Sequence, residues 1–157
     1  MPLLTEEFAA ALFAEIDGFC AATGDSGVAL RMDHLFKSPW LDALLRPAAS
    51  EAAGADGFSG MLVKAMRYVA PAPGRAEKAD WPAHCDGDLA TINICLGNAF
   101  EGGLLRVMSY DAQGMERPEA EIEHRQVGCA LVHSGMQRHS VTPVTAGTRI
   151  VLIVKVY

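Results

Sequence analysis

The chain has 157 residues and a mass of 16.7 kDa; 50% of its residues are apolar, 20% are charged, and the net charge is -6. That length suits one domain with a real hydrophobic core and is short for two, and the composition is globular, which excludes disorder over most of the chain. No Lys/Arg cluster supplies a nucleic-acid footprint and no stretch approaches the ~20 apolar residues that cross a bilayer, so a soluble, cytoplasmic protein without nucleic-acid or membrane partners is expected.

Phe8, Leu12, Phe13, Ile16, Phe19 and Cys20 recur at helical spacing, predicting an amphipathic helix over 5–22 with Thr5 as its N-cap and Glu6 and Glu7 in the first turn. Ser38-Pro39 reads as an N-cap and a first-turn proline opening a short helix through Leu45, which Pro47 restarts or ends. Residues 48–60, rich in Ala, Gly and Ser, then read as a loop or frayed helix. After Gly60 the character changes. Residues 61–69 read as a strand and the Pro/Gly-rich 70–82 as a long loop, in which Trp81 and Pro82 are either part of a lid or an ordinary surface segment.

Downstream, strands are predicted at 90–96, 104–109, 121–125, 129–133, 139–143 and 148–157, separated by glycine-bearing turns. The acidic run 116–123 reads as a solvated loop and strand edge. Helices in residues 1–60 followed by about eight short strands in 61–157 predict one mainly β domain, a barrel or jelly roll buttressed by helices. Cys20, Cys85, Cys95 and Cys129 show neither C-x-x-C pairing nor zinc spacing, so at least three are expected to be buried, reduced thiols.

His84-Cys85-Asp86 sets two metal-ligating side chains two residues apart, and alternation along extended backbone turns both to one face and Cys85 to the other. His139, at the start of a late strand, can complete a two-histidine, one-carboxylate face, because early and late strands of a jelly roll become neighbours. Such a triad leaves positions open on iron(II), whereas structural zinc fills four with Cys or His. Arg149 precedes Ile150-Val151-Leu152-Ile153-Val154. A guanidinium entering an apolar strand needs a planar anion, which points to an acid co-substrate. Thr91 and Asn93, polar amid Ile92, Ile94 and Leu96, read as pocket-lining groups. His34 and His133 have no matching partner and are read as structural or surface residues.

Several motifs come in one order: Tyr68; His84-Cys85-Asp86; Thr91-Ile92-Asn93-Ile94-Cys95-Leu96-Gly97; Phe100-Glu101-Gly102-Gly103; and Gly128 to Gly135 followed by His139, Pro143-Val144, Gly147 and Arg149. Together they resemble the prolyl/lysyl hydroxylase-like branch of the Fe(II)/2-oxoglutarate-dependent oxygenases over about residues 61–157, with Thr91-Ile92-Asn93-Ile94 leaning to the lysyl side. The resemblance implies a double-stranded β-helix, iron(II) on His84, Asp86 and His139, and the distal carboxylate of 2-oxoglutarate on Arg149. It also implies that Tyr68 and Asn93, helped by Thr91, face the co-substrate. The activity implied is hydroxylation of a protein side chain or small molecule with O2, releasing succinate and CO2. Two positions depart from the family: Leu104-Leu105 follow the Gly-Gly pair where a polar residue is usual, and Val154-Lys155-Val156-Tyr157 ends a strand that often carries a tryptophan. The alternatives are a divalent-metal hydrolase using the same triad, which leaves Arg149 idle, and a catalytically inert jelly-roll module that binds metal or a partner.

Overall fold

The computed structural model describes the chain apart from residues 24–38, 55–56 and 73–78 and the side chain of Trp40. Helix α1 (Glu6–Thr23) begins as its sequence predicts: the Thr5 hydroxyl accepts the Phe8 N–H at 3.2 Å, and Ala9, Leu12, Ile16 and Cys20 form its buried stripe. Helix α2 (Pro39–Ala53) runs through Pro47 instead of stopping there. Proline removes one intrahelical bond and frees the carbonyl four residues back, but Pro47 and Ala43 are both exposed and water can satisfy that carbonyl. The alanines beyond it then continue the helix and bury Ala48 and Ala49. Ser38 and His34 lie outside the described residues.

Among the described residues nine strands follow: β1 (Met61–Val69), β2 (Trp81–His84), β3 (Ala90–Cys95), β4 (Phe100–Gly102), β5 (Leu105–Tyr110), β6 (Glu116–Ile122), β7 (Ala130–Ser134), β8 (His139–Val141) and β9 (Val144–Val156). They form two antiparallel sheets, β1-β9-β3-β7 with β4 on the first half of β9, and β2-β8-β5-β6. β2 and β4 are too short to carry a readable alternation. The acidic run is a strand rather than a loop. All but its last residue are exposed, so it lacks the apolar alternation that marks strands, and it is held as a sheet edge by its ladder to β5 and by an Arg106–Glu121 ion pair at 2.6 Å.

Alternation along the first sheet separates two cores. Ala65, Ile92, Ile94, Ile150, Leu152 and Val154 face the helices. Met66, Tyr68 and Val151 point the other way, where Phe100, Leu105, Val141 and Val144 complete a second apolar cluster between the sheets. The polar residues of the site below lie on this second face, on the second sheet that faces it, or in the loops beside them. Of the four cysteines, all free, Cys20, Cys95 and Cys129 are buried and Cys85 is exposed.

Candidate metal centre and co-substrate pocket

His84 ends β2, His139 begins β8, and the two are direct cross-strand partners with ring centres 4.4 Å apart. His84 Nδ1 lies 3.0 Å from the Pro82 carbonyl oxygen and His139 Nδ1 lies 2.8 Å from that of Gln137. A carbonyl can only accept, so each Nδ1 carries the proton and each Nε2 keeps its lone pair. Both lone pairs meet Asp86: His84 Nε2 is 3.5 Å from Oδ1 and His139 Nε2 is 3.7 Å from Oδ2. Those separations are slightly wider than the ~3 Å expected of neighbouring donors on one ion with bonds of ~2.1 Å. The three donors lie within 4.8 Å of one another, a group able to hold a metal ion.

Extended backbone continues only to His84; Asp86 stands in the loop after β2, where Gly87 takes a φ of 82°. Its carboxylate is fixed from the sheet below. Thr91 Oγ1 donates to Oδ2 at 2.7 Å, and Lys155 Nζ lies 3.0 Å from Oδ1 and 3.0 Å from Asp88 Oδ2. Burial would push the Asp86 carboxyl up, but the hydrogen bonds from Thr91 and Lys155 and the Lys155 charge outweigh it and hold the carboxyl at about 2. Burial pushes the His139 imidazole down, which keeps it a neutral donor. The Cys85 thiol turns out to the Met136 carbonyl at 3.3 Å and stays out of the group, as alternation predicts.

A cleft runs from the triad to Arg149. Arg149 is 3% exposed, and its Nε and Nη1 have no hydrogen-bond partner. Tyr68 faces it across the β1–β9 ladder, with the guanidinium carbon 5.3 Å from the Tyr68 ring centre and 5.9 Å from that of Phe100. Gly103, at φ 62°, makes room: a Cβ there would fall 2.8 Å from Arg149 Cδ. Burial pushes the Arg149 guanidinium down, opposed by Tyr68 and Cys95, and pushes the Tyr68 phenol up to about 12.

Each candidate from the sequence lies in or beside this cleft. Thr91 spends its hydroxyl on Asp86, while the Asn93 amide lies 3.2 Å from His133 Nε2. His133, set aside in the sequence for want of a partner, also packs its ring 4.5 Å from that of His139. Trp81 lines the cleft with its ring 5.9 Å from that of His84, while residues 73–78 of the loop before it lie outside the described residues. Lys64 and His124 also line the cleft and went unread, as did Lys155. The available signal for Lys155 was parity, since it is an even number of residues from Arg149 on one strand.

No protein-family model matches the chain, and no curated protein matches it in sequence. Solved structures match it in three dimensions. A Pseudomonas putida prolyl-4-hydroxylase superposes with a TM-score of 0.62 at 20% identity, covering 98% of this chain and 82% of that one. The viral collagen prolyl hydroxylase of Paramecium bursaria chlorella virus-1 gives a TM-score of 0.60 at 13% identity over 99% of this chain and 91% of that one. The chain has the fold of the 2OG-Fe(II) oxygenases. An oxidoreductase of the 2OG-Fe(II) oxygenase family from Burkholderia pseudomallei matches at a TM-score of 0.53 and 19% identity over 78% of this chain, which covers about half, 52%, of that longer protein. The oxygenase-type jelly roll expected from the sequence is thus found in three dimensions, with the His-Asp-His group between its two sheets.

Proposed function

We propose that the chain is an iron(II)- and 2-oxoglutarate-dependent dioxygenase that hydroxylates a protein side chain or a small molecule. The observation that carries this reading is that one cleft joins three convergent metal donors to a buried arginine with two unpartnered N–H groups. The prolyl hydroxylases among the structures of like fold support it. A hydrolase would use the triad and leave Arg149 buried for no purpose.

The residues present fit the implied groups. Two neutral imidazoles and one carboxylate suit iron(II) and leave several of its positions open. Arg149 offers the planar fork that a distal carboxylate takes bidentately. When bound, iron(II) with 2-oxoglutarate and O2 supplies the oxidation that decarboxylates the co-substrate to succinate and CO2 and hydroxylates a substrate C–H.

The chain supplies geometry. Pro82 and Gln137 hold the two histidines in their donor tautomer, and Thr91 and Lys155 hold Asp86. Tyr68, kept protonated by burial, has an O–H to give to the carboxylate that Arg149 receives. Met66, Leu105, Val141 and Val151 form apolar walls that exclude water between the two ends.

The test is thermal unfolding without oxygen, with Mn(II) and 2-oxoglutarate added singly and together, because a ligand that binds only the native state raises stability, by about 2.7 kcal/mol at 100 times its Kd. Mn(II) is expected to stabilise the wild type and not His139→Ala, and 2-oxoglutarate to add an increment on top. Metal binding with no added increment from 2-oxoglutarate would favour the hydrolase or the inert module.

A further inference from the structure

We infer that Lys64 is a substrate-binding residue that pairs with a carboxylate of the molecule to be hydroxylated, so that the substrate is an acid. The inference deepens the oxygenase reading and rests on it for the occupant of the Arg149 end.

The cavity face of the first sheet is laid out in rows by the ladder register. Tyr68 and Arg149 form one row; Met66, Val151 and Cys95 the next; Lys64, Ile153 and Asn93 a third; Leu62, Lys155 and Thr91 a fourth. Exposure rises along β1 in the same order, from 3% at Tyr68 and 2% at Met66, through half-buried Lys64, to 41% at Leu62. The Arg149 end is therefore closed, the open end is at Leu62, and Lys64 stands on the β1 side between Arg149 and the row of Thr91 and Lys155 that holds Asp86. A five-carbon diacid chelated at the triad with its far carboxylate on Arg149 fills the closed side. Both of its charges are then answered.

Three cations line or border the cleft in these rows, and two have assigned partners. Arg149 awaits the distal carboxylate, and Lys155 is neutralised by Asp86 and Asp88. The Lys64 ammonium makes no hydrogen bond or salt bridge to another described residue, although it lines the same cleft as the triad. Burial and the nearby Lys155 charge push its ammonium down, outweighing the upward pull of the Asp86 and Asp88 charges, so an anion in direct contact with it stabilises the charged form. β1 is the edge of its sheet, so this point charge can be approached from beyond the sheet edge. Trp81, beside His84, offers apolar surface to the rest of such a substrate.

The test uses Mn(II)-loaded protein without oxygen, titrated with butyrate and pentanoate and with their primary amides, with binding followed by the Mn(II) electron paramagnetic signal and by thermal stability. It is run with 2-oxoglutarate present, and again in Arg149→Met so that the closed end cannot answer the probes. Wild type should bind the carboxylates about tenfold more tightly than the amides, the ratio expected of one hydrogen bond to a charged group. Lys64→Met should lose that preference, Lys64→Arg should keep it, and Lys64→Met should bind 2-oxoglutarate as wild type does. Equal binding of acids and amides by wild type, or a preference that survives Lys64→Met, would overturn the proposal. So would a Lys64→Met protein whose 2-oxoglutarate binding falls, because Lys64 would then serve the co-substrate. If 2-oxoglutarate fails to bind wild type, the oxygenase reading falls, while the Arg149→Met titration still decides whether Lys64 selects acids.

Discussion

Tyr68 stands directly opposite Arg149 in the β1–β9 ladder, with its ring 5.3 Å from the guanidinium carbon, yet Arg149 keeps two N–H groups with no acceptor. A buried cation with spare donors costs stability unless an anion arrives. Arg149→Met, which keeps length and removes the charge, should therefore raise the stability of the ligand-free protein by about 1 kcal/mol or more and abolish stabilisation by 2-oxoglutarate. Denaturant unfolding with and without 2-oxoglutarate measures both, and a ligand-free Arg149→Met protein weaker than wild type would mean that the cation is already satisfied.

The Tyr68 phenol is pushed up to about 12 by burial, and its ordinary value is 10.0. The folded value is the higher one, so the contribution to stability is present below about pH 10 and is lost as pH rises towards 12. Subtracting the tyrosinate absorbance titration of Tyr68→Phe from that of wild type should leave a component with a midpoint near 12. A midpoint at the ordinary value would show that water reaches the hydroxyl.

Asp86 behaves in the opposite sense. Its folded carboxyl lies at about 2 against an ordinary 3.8, so without metal it stabilises the fold above about pH 4, by about 2 kcal/mol, and that contribution is lost as pH falls through 2. Lys155→Met leaves burial opposed mainly by Thr91, so acid unfolding of the metal-free variant should begin at higher pH. Identical acid transitions in the two proteins would show that the 3.0 Å contact of Lys155 with Asp86 carries no weight.

Gly103 packs against Arg149 at one end of the site. With φ at 62° and an added Cβ 2.8 Å from Arg149 Cδ, Gly103→Ala must strain the turn and displace the guanidinium, at a cost of about 1–3 kcal/mol. Mn(II) affinity should be unchanged and 2-oxoglutarate affinity should fall at least about tenfold, the result of moving a bidentate donor pair. Calorimetric titration of each ligand checks the split; equal losses for metal and co-substrate would point to general unfolding.

Reading the sequence picked out His84 and Asp86 by the spacing of two ligand types, His139 by its place at the start of a late strand, and Arg149 because a charged residue heading an apolar strand needs an anion. The same logic missed Lys64 and Lys155. In Met61-Leu62-Val63-Lys64 and Val154-Lys155-Val156 a lysine is equally well explained as an exposed position, and only the pairing of β1, β9 and β3 shows that both lie on the face shared with Arg149. His133 was read as a structural or surface residue for a related reason, since its partner Asn93 is on another strand. The β6 edge was read in large part as a loop, because an edge strand takes its order from a neighbour and carries no apolar signature.

Local chemistry thus determined by itself the α1 cap and stripe, the β character after Gly60 and the ligand types with their order, because capping, alternation and donor chemistry act over a few residues. Tertiary structure alone decided which strands became neighbours, that His84 and His139 are cross-strand partners, that Lys155 is neutralised and that Lys64 lines the cleft. Those outcomes depend on ladder register and burial, which arise when distant segments pack and which short-range spacing does not encode.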